Sequence, residues 1–462
     1  YGSWPLRKEK VMVEYPAPNT NKPLHLGHVR NMLLGNSICN ILAFAGYQAI
    51  PVDLVNDRGV HICKSMLAYQ KWGKNKQPDK KSDHFVGDFY VMYSKKEKEH
   101  PELEKEIQEM LRKWEAGDKE IFELWNKMRK WALDGFKQTY ALFDVYHKKV
   151  YYESEIYQHG KEIILDGLKR GVFSKDEKGA IVADLEKDGL GKKVLLREDG
   201  TGIYITQDLY LAKVKFDDYK MDKSVYIVGN EQKYHFQVLF KLLEMLGFPF
   251  AKNCYHLAYG MIYLPEGRMK SREGTVVDAD NLVEEMNAVA EKEIKKRHKL
   301  DKKELGKRKR IISMGALKFF ILKYDPMKDF TYNPEESISF EGETGPYVQY
   351  AHARICSIFK KVKKFEPEKI KPVFSHDLEF KLIKILSDFK NVVREAAENY
   401  KPSLVARYAL ELAQAFNEFY HECPVLKAEK KVMESRLALI FCVKQVLKNA
   451  LDLLGIKAPE EM

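Results

Sequence analysis

Two histidines, His25 and His28, lie three residues apart at the point where a predicted loop runs into a predicted helix. The N-terminus of such a helix offers unpaired amides and the positive end of a dipole, which suit a phosphate group. Gly27 between them leaves room for the close approach of a phosphate or a flat ring. The imidazoles can donate hydrogen bonds to phosphate oxygens as charge shifts in a transition state. By themselves, these residues fit a helix cap and a surface histidine equally well.

A second candidate is the stretch from Gly267 to Gly274, which carries Arg268, Lys270 and Arg272. A cationic loop bounded by glycines can close over a triphosphate and stabilise departing pyrophosphate. Alone this signal is weak, because most loops with several cations are simply solvated. Together with the histidines near the start of the chain, it forms the pair of nucleotide-holding motifs typical of class I aminoacyl-tRNA synthetases.

The elements that must position these residues begin with a short apolar run at 11–15, which is typical of a buried parallel strand. Apolar residues at helical spacing predict a helix over 27–45, and residues 48–55 return to strand character. A strand, a glycine-containing turn, a helix and a strand open a parallel α/β unit.

The rest of the chain changes character several times. Residues 71–149 have helical periodicity, 172–197 predict a small strand-rich part, and strands are predicted at 224–229 and 254–262. Helices dominate beyond 280, with amphipathic segments at 348–364, 380–400, 404–421 and 435–454. We therefore expect five regions: the first half of an α/β domain (1–70), a mainly helical insertion with a small strand-rich part (71–200), the second half of the α/β domain (201–265), the cationic loop with a helical stem-contact region (266–340), and a helical domain (341–462).

The composition is that of a globular protein, with 462 residues, 45% of them hydrophobic, and a formal net charge of +11. No apolar run approaches the ~18–20 residues that span a bilayer, so we expect no membrane partner. Six scattered cysteines without a Cys-x-x-Cys pair argue against a disulfide scaffold and a cysteine-rich zinc site, and favour a reducing, cytoplasmic compartment. The positive charge permits a polyanionic partner without identifying one.

Three stretches of the chain resemble arginyl-tRNA synthetase. They are EYPAPN at 14–19 leading into KPLHLGHVRN at 22–31, DGTGIYITQD at 199–208, and EGETGPYVQYAHAR at 341–354. The resemblance implies a doubly wound parallel, Rossmann-type catalytic sheet with a helical insertion, followed by an all-α anticodon-binding bundle. It also implies ATP-dependent ligation of L-arginine to its tRNA through an arginyl-adenylate, with release of AMP and pyrophosphate.

The resemblance further implies an arginine pocket. Recognition of a guanidinium requires facing carboxylates, because planar bidentate pairing separates arginine from lysine. Asp208 and Glu14 would fill this role beside Tyr204, and Asn19 and Gln232 would hold the α-amino end. From the residues alone, Asp208 fits a helix cap equally well, Glu14 a charge at a strand end, and Tyr204 a core aromatic.

For ATP, the resemblance implies two overlapping sets of residues. The catalytic set, which would stabilise charge on the phosphates, is His25, His28, Lys22, Lys270 and Arg272. The ATP-binding set is His25, Gly27, His28, His235, Met269 and Lys270. Mg²⁺ would arrive with ATP, and we expect no zinc, because the remaining histidines and cysteines lack ligand spacing. His235 fits a helix-start cap equally well.

The chain departs from the family pattern at two points. Ser271 stands where the usual cationic loop carries its second lysine, and family members with such a loop are thought to use the lysine upstream of the histidines, here Lys22. Nothing in the sequence corresponds to the family's additional N-terminal domain, which touches the tRNA elbow, and the chain begins without Met. The means of elbow recognition is left open.

Contacts with arginine tRNA are expected at Tyr347, Tyr350 and Arg354, whose helical spacing would let them stack on splayed anticodon bases. The alternative is that both tyrosines pack in the core of the bundle. A basic run at 292–310 can follow tRNA phosphates or form a solvated helix face. We expect a monomer.

Two other functions share features of this sequence: a nucleotidyl-transferring ligase of the same superfamily with another substrate, and a non-catalytic tRNA-binding paralogue. The long C-terminal helical region disfavours the first. The presence of His25, His28 and Asp208 disfavours the second.

Overall fold

The computed structural model describes residues 1–263, 277–297 and 299–462. Its strands are β1 (Lys10–Glu14), β2 (Gln48–Val55), β3 (Lys149–Tyr152), β4 (Ser174–Lys175), β5 (Ile181–Leu185), β6 (Gly191–Leu196), β7 (Lys223–Gly229), β8 (Cys254–Tyr259), β9 (Ile262–Tyr263) and β10 (Phe330–Thr331). Its helices are α1 (Leu26–Phe44), α2 (Val60–Trp72), α3 (Ser82–Lys96), α4 (Leu103–Glu115), α5 (Lys119–Phe143), α6 (Glu153–Ile156), α7 (Lys161–Lys169), α8 (Tyr204–Tyr219), α9 (Lys233–Met245), α10 (Ala279–Arg297), α11 (Lys302–Leu322), α12 (Pro334–Ser337), α13 (Gly345–Phe359), α14 (Asp377–Glu398), α15 (Pro402–Glu422) and α16 (Lys430–Leu453). No described helix is long and apolar enough to cross a membrane.

A five-stranded parallel sheet is the centre of the fold, with the strand order β3-β2-β1-β7-β8. Alternate residues of β1 enter different apolar cores, Val11 and Val13 on one face and Met12 on the other, and all three are fully buried. This burial on both faces explains the continuous apolar run. The predicted doubly wound parallel sheet is confirmed, and its strand order reverses between β1 and β7.

The elements predicted from periodicity are present with shifted ends. α1 begins one residue before the predicted start at 27, and β2 agrees with the prediction of 48–55. α13 begins at Gly345 rather than at 348, because the Thr344 hydroxyl accepts a hydrogen bond from the Tyr347 N–H at 3.2 Å and a proline is tolerated in the first turn.

Helices α2 to α5 share an apolar cluster of their own, in which Phe85, Trp114 and Trp125 are buried. Strands β4, β5 and β6 form a small antiparallel sheet, whose apolar residues join the core on the Met12 face of β1. Helices α13 to α16 share one core with α1 and α11. The C-terminal helices therefore pack directly on the helix that carries the two histidines.

Candidate active site

His25 and His28 lie in the first turn of α1, and backbone groups hold both rings. His25 is the N-cap of α1, and its Nδ1 accepts a hydrogen bond from the Gly27 N–H at 3.1 Å. The His28 Nδ1 accepts from the His25 N–H, also at 3.1 Å, and the two ring centroids are 3.9 Å apart. The helix cap and the phosphate-binding interpretation are therefore compatible, because capping uses only one nitrogen of each ring.

These hydrogen bonds fix where each imidazole carries its proton. A ring nitrogen that accepts a hydrogen bond has no proton, so the neutral ring is protonated at Nε2, which can donate to a ligand. Burial, assisted by nearby Lys22, lowers the pKa of His25 to about 3. Burial also lowers the pKa of His28 well below its usual value, assisted by His25 and Lys22. Both rings are neutral donors at neutral pH, and Lys22 lies within their electrostatic reach.

A cavity of about 330 Å³ lies between these rings and the carboxyl ends of β7 and β8. The cavity lies where the strand order reverses, between β1 and β7, which is the place where a doubly wound sheet binds its ligand. The cavity is lined by Pro16, Ala17, His25, Gly27, His28, Asn31, Val228, Gly229, Glu231, Gln232, Tyr259, Met261 and Ile262. Four of these were named from the sequence: His25, Gly27, His28 and Gln232.

The cationic loop itself cannot be assigned a position, because its predicted residues lie outside the described part of the chain: Met269, Lys270 and Arg272. Both of its flanks are described, and both are fixed to α1. On the downstream flank, the Leu26 N–H donates to the Val277 carbonyl at 3.0 Å, and the Ala279 N–H donates to the Leu24 carbonyl at 2.8 Å. The downstream flank therefore lies beside the segment that carries the two histidines.

Arg30 of α1 anchors the upstream flank. Its side chain is 1% exposed and donates to the Gly260 carbonyl and, at 3.0 Å, to that of Met261. The same guanidinium donates to the carbonyls of Pro326 at 2.9 Å and Lys328 at 2.7 Å. One side chain with a fixed fork of donors thus holds two segments of backbone against the first motif.

Glu14 is the last residue of β1, and its carboxylate is buried and ion-paired with Lys215 of α8. Lys215 is fully buried as well, so neither charge is solvated. Burial is the main cause that raises the pKa of Tyr226, and Glu14 and Asp208 add to it. The two predicted guanidinium-binding carboxylates therefore both lie within reach of one side chain of β7.

Asp208 lies one turn into α8, where its Oδ2 is 2.6 Å from the His235 Nε2. His235, predicted as an ATP contact, is thus a partner of a predicted arginine ligand. Tyr204 begins α8 and is 73% exposed. Partial desolvation is the main cause that raises the pKa of its hydroxyl, and the carboxylates of Glu153 and Asp208 add to the shift. Asn19 lies in the loop after β1, in a bridge with Asn56.

Sequence reasoning missed several residues that shape this site. The Asn31 Nδ2 donates to the backbone of β7 at 2.8 Å, and Tyr259 forms part of the cavity wall. Asp53 is fully buried and accepts from the Ala17 N–H at 3.1 Å and the Tyr140 hydroxyl at 2.8 Å. Burial raises the pKa of Asp53 to about 7. A carboxylate within an apolar predicted strand was the available signal for Asp53.

Asp83, His84 and Asp280 bring their possible ligand atoms within 4.8 Å of one another. The Lys81 Nζ lies 2.6 Å from the Asp280 Oδ2 and 3.2 Å from the Asp83 Oδ2, and the His84 Nε2 lies 2.9 Å from the Asp280 Oδ2. An ammonium already compensates these carboxylates, so the group is built as an ion-pair cluster. It ties α3 to the start of α10, just downstream of the cationic loop.

The three predicted tRNA contacts fall into two environments. The Arg354 Cζ lies 4.7 Å from the ring centroid of exposed Tyr350 and 5.2 Å from that of Tyr420. Its Nη1 donates to the Asn417 Oδ1 at 2.9 Å. Tyr347 is half-buried against the core, as the alternative interpretation has it. The surface offered to a base therefore consists of Tyr350, Arg354 and Tyr420.

Known proteins match both parts of the chain. A family model described as "tRNA synthetases class I (R), catalytic domain" matches residues 4–333, and one described as "DALR anticodon binding domain" matches residues 348–462. The arginine–tRNA ligase of Parabacteroides distasonis is 47% identical over 492 residues, which cover 100% of this chain and 82% of that protein. The arginine–tRNA ligase of Porphyromonas gingivalis is 48% identical, covering 98% of this chain and 80% of that protein.

Solved structures agree with the sequence relatives. Thermus thermophilus arginyl-tRNA synthetase matches with a TM-score of 0.90 at 28% identity, covering 100% of this chain and 84% of that one. Mycobacterium tuberculosis methionyl-tRNA synthetase, in complex with methionyl-adenylate, matches with a TM-score of 0.62 at 12% identity, covering 98% and 92%. The second likeness is one of fold alone.

Proposed function

The chain belongs to the arginyl-tRNA synthetases, and from this membership we propose how its residues divide the ligase reaction between them. As an arginine–tRNA ligase, the protein uses ATP to join L-arginine to its tRNA. The arginine carboxylate attacks the α-phosphorus of ATP, which gives arginyl-adenylate and pyrophosphate. The aminoacyl group then passes to a ribose hydroxyl of the terminal adenosine of the tRNA, and AMP leaves. No protein nucleophile is required, so positioning and charge stabilisation supply the rate.

The ATP phosphates bind in the cavity beside α1, with Gly27 permitting their close approach. The observation that carries this proposal is the pair of neutral imidazoles, each held at Nδ1 by a backbone N–H. His25 and His28 donate from Nε2 to phosphate oxygens, and Lys22 adds a positive charge beside them. Met269, Lys270 and Arg272 act from the cationic loop, whose flanks are fixed to the same helix, and His235 contacts the nucleoside.

Mg²⁺ enters as part of the MgATP substrate. Among the described residues that line the cavity, Glu231 contributes the one carboxylate. Magnesium in such sites takes one or two carboxylates and completes its octahedron with phosphate oxygens and water. Glu231 and the phosphates of ATP would therefore hold the ion, which would offset the negative charge of the phosphates.

Arginine binds across the carboxyl ends of β1 and β7. Asp208 and Glu14 pair with the guanidinium, Tyr204 covers it, and Asn19 and Gln232 hold the α-amino end. The support is that Asp208 and Glu14 both act on Tyr226 and that Gln232 lines the neighbouring cavity. Because Lys215 and His235 compensate these carboxylates, arginine must share or replace those partners when it binds.

The anticodon side of the tRNA meets α13. Tyr350 and Arg354 stack on unpaired bases, and Tyr347 supports them from the core. We assign 1–70 and 201–265 to the two halves of the catalytic domain, 71–200 to the insertion, 266–340 to the loop and stem-contact region, and 341–462 to the anticodon-binding domain. The chain works as a cytoplasmic monomer, and light scattering of the purified protein in reducing buffer tests the monomeric state.

Aminoacylation of bulk tRNA with each amino acid in turn tests the ligase function. The same assay with the variants His25→Asn and His28→Asn tests whether the two histidines bind the ATP phosphates. Asparagine at position 25 can still cap α1 but cannot place a donor where the imidazole Nε2 lies. Both variants should therefore lose at least about 100-fold in the rate of arginine charging. His376→Asn is the matched control, because the His376 Nδ1 caps α14 in the same way, accepting from the Leu378 N–H at 3.2 Å. Equal rates for His25→Asn and His376→Asn would mean that His25 is only a cap.

A further inference from the structure

A second cleft of about 450 Å³ lies away from the catalytic residues, between α11, the end of α5 and the segment after α16. The charged groups in its lining are Asp144, Lys307, Arg310, Lys318 and Lys457. Four cations thus face one carboxylate, and that carboxylate is half exposed. The cleft carries a local excess of positive charge with space between the cations.

Three of these cations are exposed and make no ion pair with any described residue: Lys307, Arg310 and Lys457. Neighbours in the same basic run are paired: Lys295 lies 2.6 Å and Lys309 2.8 Å from Glu291, and Arg308 lies 2.7 Å from Glu304. Lys360, and more weakly Lys307, lower the pKa of the Glu461 carboxyl, so Lys307 is near one acidic group, but none of the three cleft cations forms a direct ion pair with a described residue. Guanidinium and ammonium groups around one space form a receptor for a phosphate group.

Lys318 forms the floor of the cleft and gives a second, independent reason to expect an anion. It is 1% exposed, and its Nζ donates to the Gly455 carbonyl at 2.7 Å and lies 3.5 Å from the Asp144 Oδ2. Burial, opposed by Asp144 and assisted by Lys457 and Arg310, lowers the pKa of Lys318 to about 8. A buried ammonium is costly unless it is compensated, and one half-exposed carboxylate compensates it only in part.

We propose that this cleft binds a backbone phosphate of the tRNA substrate and so positions the tRNA on α11. The proposal rests on the ligase function above, which supplies the polyanion. In this proposal, the basic run at 292–310 contacts the tRNA backbone at one defined place, the cleft that contains Lys307 and Arg310. Backbone contacts of this kind set the register of a nucleic acid without reading its sequence.

The first test is the double variant Lys307→Gln/Arg310→Gln, with Lys295→Gln/Lys296→Gln as its matched control. Both remove two charges from the basic run, but Lys295 and Lys296 are already paired with glutamates, at 2.6 and 2.5 Å. Filter binding of arginine tRNA between 50 and 200 mM salt should show about tenfold weaker binding for the cleft variant. The slope of log K against log salt should fall by about 1 in magnitude. The control should change by less than about twofold.

The charging rate separates failure of this proposal from failure of the ligase function. At saturating arginine tRNA, the cleft variant should charge arginine at the unaltered kcat, with only the KM for tRNA raised. An unchanged affinity and salt slope would overturn the cleft while leaving the ligase intact. Absence of charging by the unmodified protein would instead remove the function on which the cleft rests.

The second test distinguishes tRNA from free phosphate. Acetylation of Lys307 and Lys457, followed by mass spectrometry, should be suppressed by arginine tRNA at least about fivefold more than by inorganic phosphate at the same ionic strength. Protection by inorganic phosphate without protection by tRNA would overturn the assignment to tRNA. Absence of protection by either ligand would overturn the site.

Discussion

The nucleotide cavity and the arginine pocket lie side by side at one edge of the sheet, yet they are built in opposite ways. In the cavity, backbone N–H groups hold two neutral imidazoles, those of His25 and His28. In the arginine pocket, other side chains rather than backbone groups hold the carboxylates. Glu14 pairs with Lys215, and Asp208 lies 2.6 Å from His235.

This difference predicts different behaviour when ligands arrive. Donors fixed by backbone need not move for a phosphate, so their stabilisation is available without reorganisation. A carboxylate with an internal partner must share it or exchange it for the guanidinium. Near Asp208 and Tyr204, burial also raises the pKa of Glu153 to about 7, although nearby Arg58 opposes this shift. A carboxyl group beside the arginine pocket therefore titrates near neutral pH. The nucleotide site is preorganised, whereas the arginine site responds to charge.

Removing a charge from the arginine pocket should have the largest effect. Asp208→Asn keeps the shape of the side chain but deletes the charge, so the bidentate pairing with arginine is lost. We expect kcat/KM for arginine to fall about 1000-fold, because a site built for paired donors is left with unsatisfied groups. Steady-state charging at varied arginine concentration measures this loss.

Asp217→Asn on the same helix is the control for Asp208→Asn. Asp217 is exposed and lies 2.5 Å from Lys213 in an ordinary surface pair, so its removal should change kcat/KM by less than about twofold. Far-ultraviolet circular dichroism should be unchanged for both variants. Similar kinetics in the two variants would show that Asp208 is not an arginine ligand.

Breaking the buried ion pair between Glu14 and Lys215 should lower the stability of the fold more than it lowers the charging activity. Lys215→Met leaves the Glu14 carboxylate buried without its partner, which should lower the free energy of unfolding by about 3 kcal/mol. Denaturant titration with linear extrapolation measures this change.

The double variant Glu14→Gln/Lys215→Met completes the cycle. It should recover most of the lost stability, because no charge is left buried, but it should still raise the KM for arginine. If the loss in the double variant equalled the sum of the losses in the single variants Glu14→Gln and Lys215→Met, the two side chains would not interact. Recovery of both stability and KM would remove Glu14 from the arginine pocket.

On the nucleotide side, Arg30→Lys should have a smaller effect on stability. A lysine keeps the charge but replaces a fork of donors that reaches four carbonyls, so some of these are left without partners. We expect a loss of about 2 kcal/mol and a lower kcat, because the flank of the cationic loop is no longer fixed. Arg394→Lys, at an exposed position of α14, should change neither quantity. Thermal unfolding and single-turnover charging provide the two readouts.

The parts of this comparison that depend on local sequence were predictable. A strand, a glycine-containing turn and a helix follow from apolar spacing within about fifty residues, and they place His25 and His28 at a helix start. The strand predicted over 48–55 is present as β2, because Gly46, with its positive φ, ends the helical pattern before it. Parallel pairing then puts the loop after β1 at the ligand-binding edge.

The partners that set the charge of the site were not predictable, because they lie far away along the chain. Lys215 is 201 residues from Glu14, and the Pro326 carbonyl is 296 residues from Arg30. In the sequence, nothing distinguishes Lys215 from Lys213, the other lysine of α8. Only the packing of α8 against the sheet reveals that it is fully buried and paired with a carboxylate. Assignment of the arginine ligands likewise depended on the family resemblance.

The last predicted effect, similar in size to that of Arg30→Lys, concerns pH and tests whether the imidazoles are neutral. The pKa of His25 is lowered to about 3 in the folded protein, against about 6.5 in the unfolded chain. Between these values the unfolded state binds more protons, so His25 makes stability fall as pH decreases from 6.5 and contributes nothing above that pH. The slope from one such group is at most about 1.4 kcal/mol per pH unit.

His25→Asn removes this group while keeping the helix cap. The loss of unfolding free energy between pH 7 and pH 5 should therefore be smaller in the variant, by about 2 kcal/mol. His376→Asn again serves as the control and should retain the full loss. If His25→Asn lost as much stability on acidification as the unmodified protein, His25 would take up its proton in the folded state as readily as in the unfolded chain, near pH 6.5. The nucleotide cavity would then hold a cation, and the contrast with the arginine pocket would disappear.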